Sequence, residues 1–331
     1  MHGEKRACNS LVTGIAIACK ARLVPFVSSR RQATGKARPL VRNSGVTMGV
    51  ELTRSSEVLV GALQPYLPLT VENYMERRLS SPVVELVYAF RSTGTGARPS
   101  AVPDGCVDLA FGFGPEGVLV TMGGTVLSAK GWDFSGAREW VGCRFRPGEA
   151  MLPGGVTPED LVNADIKLDE AALDGRLLEG LWASPDAAAR MDVLTRALLA
   201  GGEASAFSAR TGSRSVRALE RHVRAQILAS GGTASVASLA EQAGVSTRYL
   251  RRAFMEVHGI SPKQFSRFVR FQRAMDLVTR GDDAARAQAL ALACGYSDQS
   301  HLVHEFDELA GTTPGRLRRL LRGSRQASLA S

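Results

Sequence analysis

The apolar positions of the C-terminal third repeat. Leu239, Ala240, Gly244, Ser246, Leu250, Phe254, Gly259 and Pro262 are answered by Leu290, Ala291, Gly295, Ser297, Leu302, Phe306, Gly311 and Pro314. The offset is 51 residues up to the serine and 52 from the leucine onward, so one residue has been inserted at the turn. In each copy the spacing predicts a short apolar helix ending near a glycine, a serine N-cap, and a second helix whose Leu and Phe, four apart, share a buried side. The first copy is expected as helices over 236–243 and 247–257, the second over 287–294 and 298–309. An amphipathic helix over 217–228 leads in, and a rigid helix over 265–277, with Phe268, Phe271, Ala274 and Met275 at helical spacing, joins the copies. The predicted unit is a helix-turn-helix, present twice.

Upstream the pattern changes to short apolar runs broken by Gly and Pro: 83–90, 106–113, 117–122 and 140–145. These predict strands, several at hairpin spacing. Helices are expected at 157–163, 171–182 and 187–199, the last started by Ser184-Pro185. The chain is therefore expected to be α+β, with a β-rich regulatory domain and C-terminal helices over 48–200, a small-residue linker over 201–214, an all-α domain over 215–322 and a disordered tail over 323–331. Residues 1–47 have almost no acid and precede a Met48 that looks like a domain start, so they are expected to be a disordered basic extension, consistent with an artefact of the assigned start codon.

Charge sharpens this division. Residues 1–47 carry nine Lys/Arg against one acid, residues 48–212 fourteen against twenty-one, and residues 213–331 eighteen against ten. A basic helical module joined to an acidic one is expected when only the first meets a polyanion. At 331 residues with 44% hydrophobic content both modules can bury a core, and no run of eighteen apolar residues occurs, so no membrane segment is expected and the protein is placed in the cytoplasm, on the nucleoid. Cys8, Cys19, Cys106, Cys143 and Cys294 are odd in number without a CxxC pair, which predicts free thiols rather than a disulfide framework or zinc site. Among His222, His258, His301 and His304 only the last two have helical spacing, and no third ligand stands near them. No nucleophile elbow or phosphate loop occurs, so no catalytic residue, metal or cofactor is expected.

The predicted recognition helix of the first copy buries Leu250 and Phe254, leaving Arg248, Arg251 and Arg252 outward. A guanidinium fork suits phosphates and the O6 and N7 edge of guanine alike. A solvated surface is the plain alternative for such a cluster, and its position on the recognition helix argues for DNA. On the second copy Gln299, Ser300, His301 and His304 face outward; Gln pairs well with adenine, and His and Ser reach bases or phosphates.

The segment AGVSTRYLRRAFMEVHGISPKQF, followed by RFQRAMDLV and ALACGYSDQSHLVHEFDELAGTTPGRLR, resembles the DNA-binding domain of the AraC/XylS transcription regulators over about 100 residues. That resemblance implies two helix-turn-helix units on one rigid helix, with second helices entering successive major grooves of double-stranded DNA. The DNA-contacting role then falls on Ser246, Thr247, Arg248, Arg251 and Arg252, and on Asp298, Gln299, Ser300, His301 and His304. It also implies RNA polymerase as a partner. The alanine-rich first helix of the second copy departs from the family pattern by lacking a β-branched core residue. AVPDGCVDLAFGFG and WVGCRFRPGEA resemble the β-rich N-terminal domain of a subgroup of these regulators. There Asp104, Cys106, Asp108, Arg144 and Arg146 are candidates to line a small-molecule effector pocket. The plainer expectation is that Asp104 and Gly105 make a turn and Arg144 pairs with a carboxylate. Dimerisation is left open, with no heptad seam. The alternatives carried forward are a nucleoid-type DNA binder without base preference and an enzyme fused to a DNA-binding module.

Overall fold

The computed structural model describes residues 64–92, 101–132, 134, 137–170, 173–200, 211–280 and 287–329. The extension over 1–47 and the linker residues 201–210 lie outside the described residues. In chain order the elements are α1 (Leu67–Thr70), β1 (Val71–Arg78), β2 (Val84–Ser92), β3 (Val107–Gly114), β4 (Gly117–Gly123), β5 (Glu139–Phe145), a 3-10 turn (Glu159–Leu161), β6 (Asp165–Leu168), α2 (Gly175–Ala183) and α3 (Ala187–Leu199). The helical part follows: α4 (Arg214–Ala229), α5 (Val236–Gln242), α6 (Thr247–His258), α7 (Pro262–Arg280), α8 (Ala287–Ala293), α9 (Gln299–Ala310) and α10 (Pro314–Leu329).

The six strands form one antiparallel sheet in the order β1-β2-β5-β3-β4-β6. Because side chains alternate along a strand, the sheet has two distinct faces. Val87, Ala89, Leu109, Phe111, Val120, Met122, Val141 and Cys143 make one, packed with Leu181 of α2 and Met191 and Leu194 of α3. Tyr88, Phe90, Asp108, Ala110, Leu119, Thr121, Trp140 and Arg144 belong to the other, which lines a cavity. Two glycines leave room for the aromatic rings on that face: a Cβ on Gly142 would stand 2.6 Å from the Tyr88 ring, and one on Gly112 2.8 Å from Trp140.

Four strands fall where the apolar runs predict them. The two that the runs miss, β1 and β6, are the edges of the sheet, and neither has a fully buried residue. Their sequences, VENYMERR and DIKL, are charged because an edge strand exposes its unpaired backbone and charge discourages further pairing. The helix expected over 157–163 is a correction: only one 3-10 turn forms. Asp160 accepts from the amide and hydroxyl of Thr157, and Asn163 takes a left-handed conformation at φ 57°, turning the chain into β6. The next helix starts at Gly175 rather than 171, where Asp174 caps it by accepting from the Arg176 amide. At the C-terminus α10 runs to Leu329, through most of the stretch expected as a tail.

The helical repeat is as spaced in the sequence. Gly244 and Gly295, at φ +65° and +77°, make the turns of the two units, and Gly259 and Gly311, at +68° and +63°, close their second helices in the left-handed conformation that glycine adopts without penalty. Pro262 and Pro314, three residues on, begin the next helices. Ser261 and Gln264 form a capping box at the start of α7, each taking the other's amide, and Thr313 caps α10. Phe254, Phe265, Phe268, Phe271, Leu302 and Phe306 fill one core with Leu239 and Leu290 from the first helices of the units. That core also takes in Tyr66 and Val102 from the β-rich part.

Candidate nucleic-acid interface

Ser246 caps α6 by accepting from the Tyr249 amide at 3.2 Å, and its hydroxyl is committed to that task. With Leu250, Ala253 and Phe254 buried, Thr247, Arg248, Arg251 and Arg252 are all exposed on the far side. The Arg252 guanidinium stands over the Tyr249 ring at 4.9 Å. Neither Arg248 nor Arg251 forms an ion pair among the described residues. The result is a helix whose outer surface offers guanidinium donors without internal acceptors.

The second unit is built alike but starts differently. Ser297 does not cap α9 as the repeat predicts; Asp298 does, accepting from the His301 amide at 2.8 Å. The inserted residue shifts the cap by one position, and the Ser297 hydroxyl instead reaches Asp298 Oδ2 at 3.0 Å and His301 Nδ1 at 3.1 Å. The His301 amide, helped by Ser297, holds the Asp298 carboxyl below its usual range. His301 also meets Tyr296 edge to face. Gln299, Ser300 and His304 are exposed and, with Val303, Asp307 and Thr313, line a groove of about 510 Å³ along α9. Val303 and Asp307 were not singled out in the sequence, although they lie four and eight residues from Gln299 on one helical face.

Acids also distinguish α9. Glu305, buried, receives Arg267 at 3.0 Å and Arg270 at 3.3 Å from α7, and Glu308 receives Arg267 at 2.8 Å. Arginines that add to the basic count of the chain are thus consumed internally, at the seam between α7 and α9.

The cavity on the sheet has a volume of about 300 Å³, at the small end of ligand pockets. Four of the five residues expected for an effector, Asp104, Cys106, Asp108 and Arg144, line it; Arg146 does not. Arg146 instead pairs with Glu85 and donates to the Ser81 carbonyl at 2.9 Å. Arg144 forks onto Asp108, its cross-strand partner, at 2.8 and 2.7 Å, and stands 3.3 Å from Asp104. Asp104 further accepts from Gln64 at 2.7 Å and from the Cys106 amide at 2.9 Å. Burial pushes the Asp104 carboxyl above its usual range against the pull of Arg144, with Asp108 adding to the rise. Burial likewise raises the Cys106 and Cys143 thiols, so both are in the protonated, unreactive form. The ring wall of Tyr88, Phe90, Trp132, Phe134 and Trp140 was not anticipated, although alternation along β2 and β5 places Tyr88, Phe90 and Trp140 on the face that carries Arg144.

Residues 239–320 match the family model described as a helix-turn-helix domain. They form a helix-turn-helix domain. Among solved structures, a probable AraC family transcriptional regulator from Rhodopseudomonas palustris is similar at 27% identity, covering 33% of this chain and 98% of that one with a TM-score of 0.28. The C-terminal domain of AraT, a response regulator from Geobacillus stearothermophilus, is similar at 25% identity over 32% of this chain and 85% of that one, with a TM-score of 0.28. ToxT from Vibrio cholerae aligns over 75% of this chain and 97% of its own, at 8% identity and a TM-score of 0.37. A comparison with curated proteins finds no match.

The helix-turn-helix domain is tied to the sheet by polar contacts as well as by the shared core. Gln272 of α7 donates to the Pro103 carbonyl at 2.8 Å, and Tyr66 donates to the Ala310 carbonyl at the end of α9 at 3.1 Å. Glu149 accepts from Arg217 at 2.7 Å and Arg224 at 2.8 Å, both on α4. Arg224 continues to the buried Glu220, whose other neighbour is His258 at the end of α6, 2.8 Å away. Burial opposes the charge on Glu220, and His258 with Arg224 outweighs it, holding the carboxyl below its usual range. Among the described residues no group of three His, Cys, Asp or Glu could hold a metal ion, and no helix is long and apolar enough to cross a membrane.

Proposed function

We propose that the protein is a sequence-specific transcription regulator in which α6 and α9 enter successive major grooves of an asymmetric DNA site. The observation that carries this is the pairing of two capped helices, on one shared core, whose outer faces hold Arg248, Arg251 and Arg252 on one and Gln299, Ser300, His301 and His304 on the other. Phosphate contacts supply most of the affinity, and base edges set register and choice. Thr247 belongs to the first contact face, while Ser246 and Asp298 act by fixing the helix starts. The β-rich part governs this engagement by taking a small-molecule effector in its cavity. The segment that lines the cavity, Val102 to Cys106, also carries the carbonyl held by Gln272 of α7, so an occupant of the cavity acts on the helix that connects the two units. Such a regulator works in the cytoplasm, on the nucleoid, with RNA polymerase as the partner that meets its DNA-bound form.

Selection of bound duplexes from a randomised library by the full chain at about physiological salt tests this reading. The expected product is a bipartite site without a palindrome, its two parts about one helical turn apart. Recovery of sequences no different from the input library would instead indicate a nucleoid-type binder.

A further inference from the structure

Resting on the reading of the cavity as an effector site, we propose that its ligand is a small organic cation, a protonated amine on a ring body that also carries a hydrogen-bond acceptor. Among the described residues, the polar end formed by Asp104, Asp108 and Arg144 holds two carboxylates for one guanidinium. Arg144 gives Nε and Nη2 to Asp108, at 2.8 and 2.7 Å, and shares the same single charge with Asp104 through Nη1 at the longer distance of 3.3 Å. Asp104 is buried, and its remaining donors are neutral: the Gln64 amide and the Cys106 backbone. A buried carboxylate with its charge incompletely met is costly unless a cation joins it. The walls above are aromatic: Phe90 stacks near-parallel with Trp140, and Phe134 meets both edge to face. Ring faces attract cations and accept flat apolar bodies.

A second observation points to an occupant independently of the charge. Trp140 is buried, lines the cavity, and its indole Nε1 has no hydrogen-bond partner among the described residues. A buried donor of this kind is seldom left unmet in a native protein, and an acceptor on a bound ligand would satisfy it. Among the described residues the remaining basic group of the cavity, Lys167, is exposed on the edge strand β6 next to Asp165, so it offers no buried counter-charge for an anion.

Three probes of one size separate charge from shape: tyramine, tyrosol and 4-hydroxyphenylacetate share a phenol ring and differ in a terminal ammonium, hydroxyl or carboxylate. Calorimetric titration of the full chain at neutral pH should show tyramine binding tighter than tyrosol by roughly tenfold to a hundredfold, the range of one charge-assisted hydrogen bond, with the carboxylate weakest. In Asp104→Asn that preference should collapse while tyrosol binding persists. Equal affinity for all three, or tightest binding of 4-hydroxyphenylacetate, overturns the cation assignment and leaves the effector reading standing. Saturable binding of none of them overturns the effector reading of this cavity as well. The ordering on the unaltered chain decides the matter even if Asp104→Asn does not fold.

Discussion

The two helix-turn-helix units share a core design and differ in what they show to solvent. Phe254 and Phe306 are both wholly buried, both turns rest on a left-handed glycine, and both second helices close on another. Yet α6 presents three exposed arginines against one exposed acid, Glu256, whereas α9 presents Gln299, Ser300 and two histidines and carries Glu305, Asp307 and Glu308. Packing is shared between the copies because it makes the fold; the outer face is free to diverge because nothing in the fold depends on it. On the proposed reading the units are unequal partners on DNA, the first supplying most of the electrostatic attraction and the second contributing mainly discrimination.

The largest effects should fall on what the units share. Phe254→Ala and Phe306→Ala should each cost about 3–5 kcal/mol in denaturant unfolding of the full chain, since each empties a site with no solvent access. A much smaller loss for Phe306→Ala would show that the alanine-rich α8 leaves the second unit loosely packed, and the equivalence of the cores would fail.

Smaller effects should fall on the faces. Arg251→Ala should weaken binding to a selected site by about 1–3 kcal/mol and relax base preference at one position. Unchanged affinity and preference across a randomised site would remove Arg251 from the interface.

The caps give the finest separation. Ser246→Ala should cost about 1 kcal/mol at any pH, because a hydroxyl does not titrate. Asp298 has its folded pKa lowered, so its carboxylate stabilises the protein above the unfolded value, about 3.9, and that contribution is lost as pH falls through the depressed folded value. The stability difference between the native chain and Asp298→Ala should therefore shrink below about pH 4, while that for Ser246→Ala stays constant. A constant difference for both would mean that Asp298 caps without relying on its charge.

The helical half was legible in the sequence because its signals are local: Leu and Phe four apart, a capping serine, a glycine and a proline at fixed offsets. Within the two units the local error, Ser297 for Asp298, arose where the inserted residue breaks the repeat. On the sheet, the central strands were legible as apolar runs, but β1 and β6 were not, since edges carry charge instead of apolar residues. The cavity was only half legible. The PDG turn drew attention to Asp104, Cys106 and Asp108, whereas the aromatic wall needs the pairing of β2, β5 and β3, which brings Tyr88, Trp140 and Arg144 to one face from distant parts of the chain. Arg146 was misplaced as a cavity residue because it lies past the end of β5, beyond the alternation that places Arg144, and there it meets the buried Glu85.

The inequality of the two faces is tested most directly by the salt dependence of DNA affinity. For the full chain on its selected site, the slope of log K against log salt should flatten by about one to three units when Arg248, Arg251 and Arg252 are replaced together by alanine, about 0.9 for each phosphate no longer neutralised. Replacing Gln299, Ser300, His301 and His304 by alanine should leave the slope within about half a unit of the native value while changing which bases are preferred. Equal flattening by both sets, or a native slope after removal of the three arginines, would contradict the division of labour.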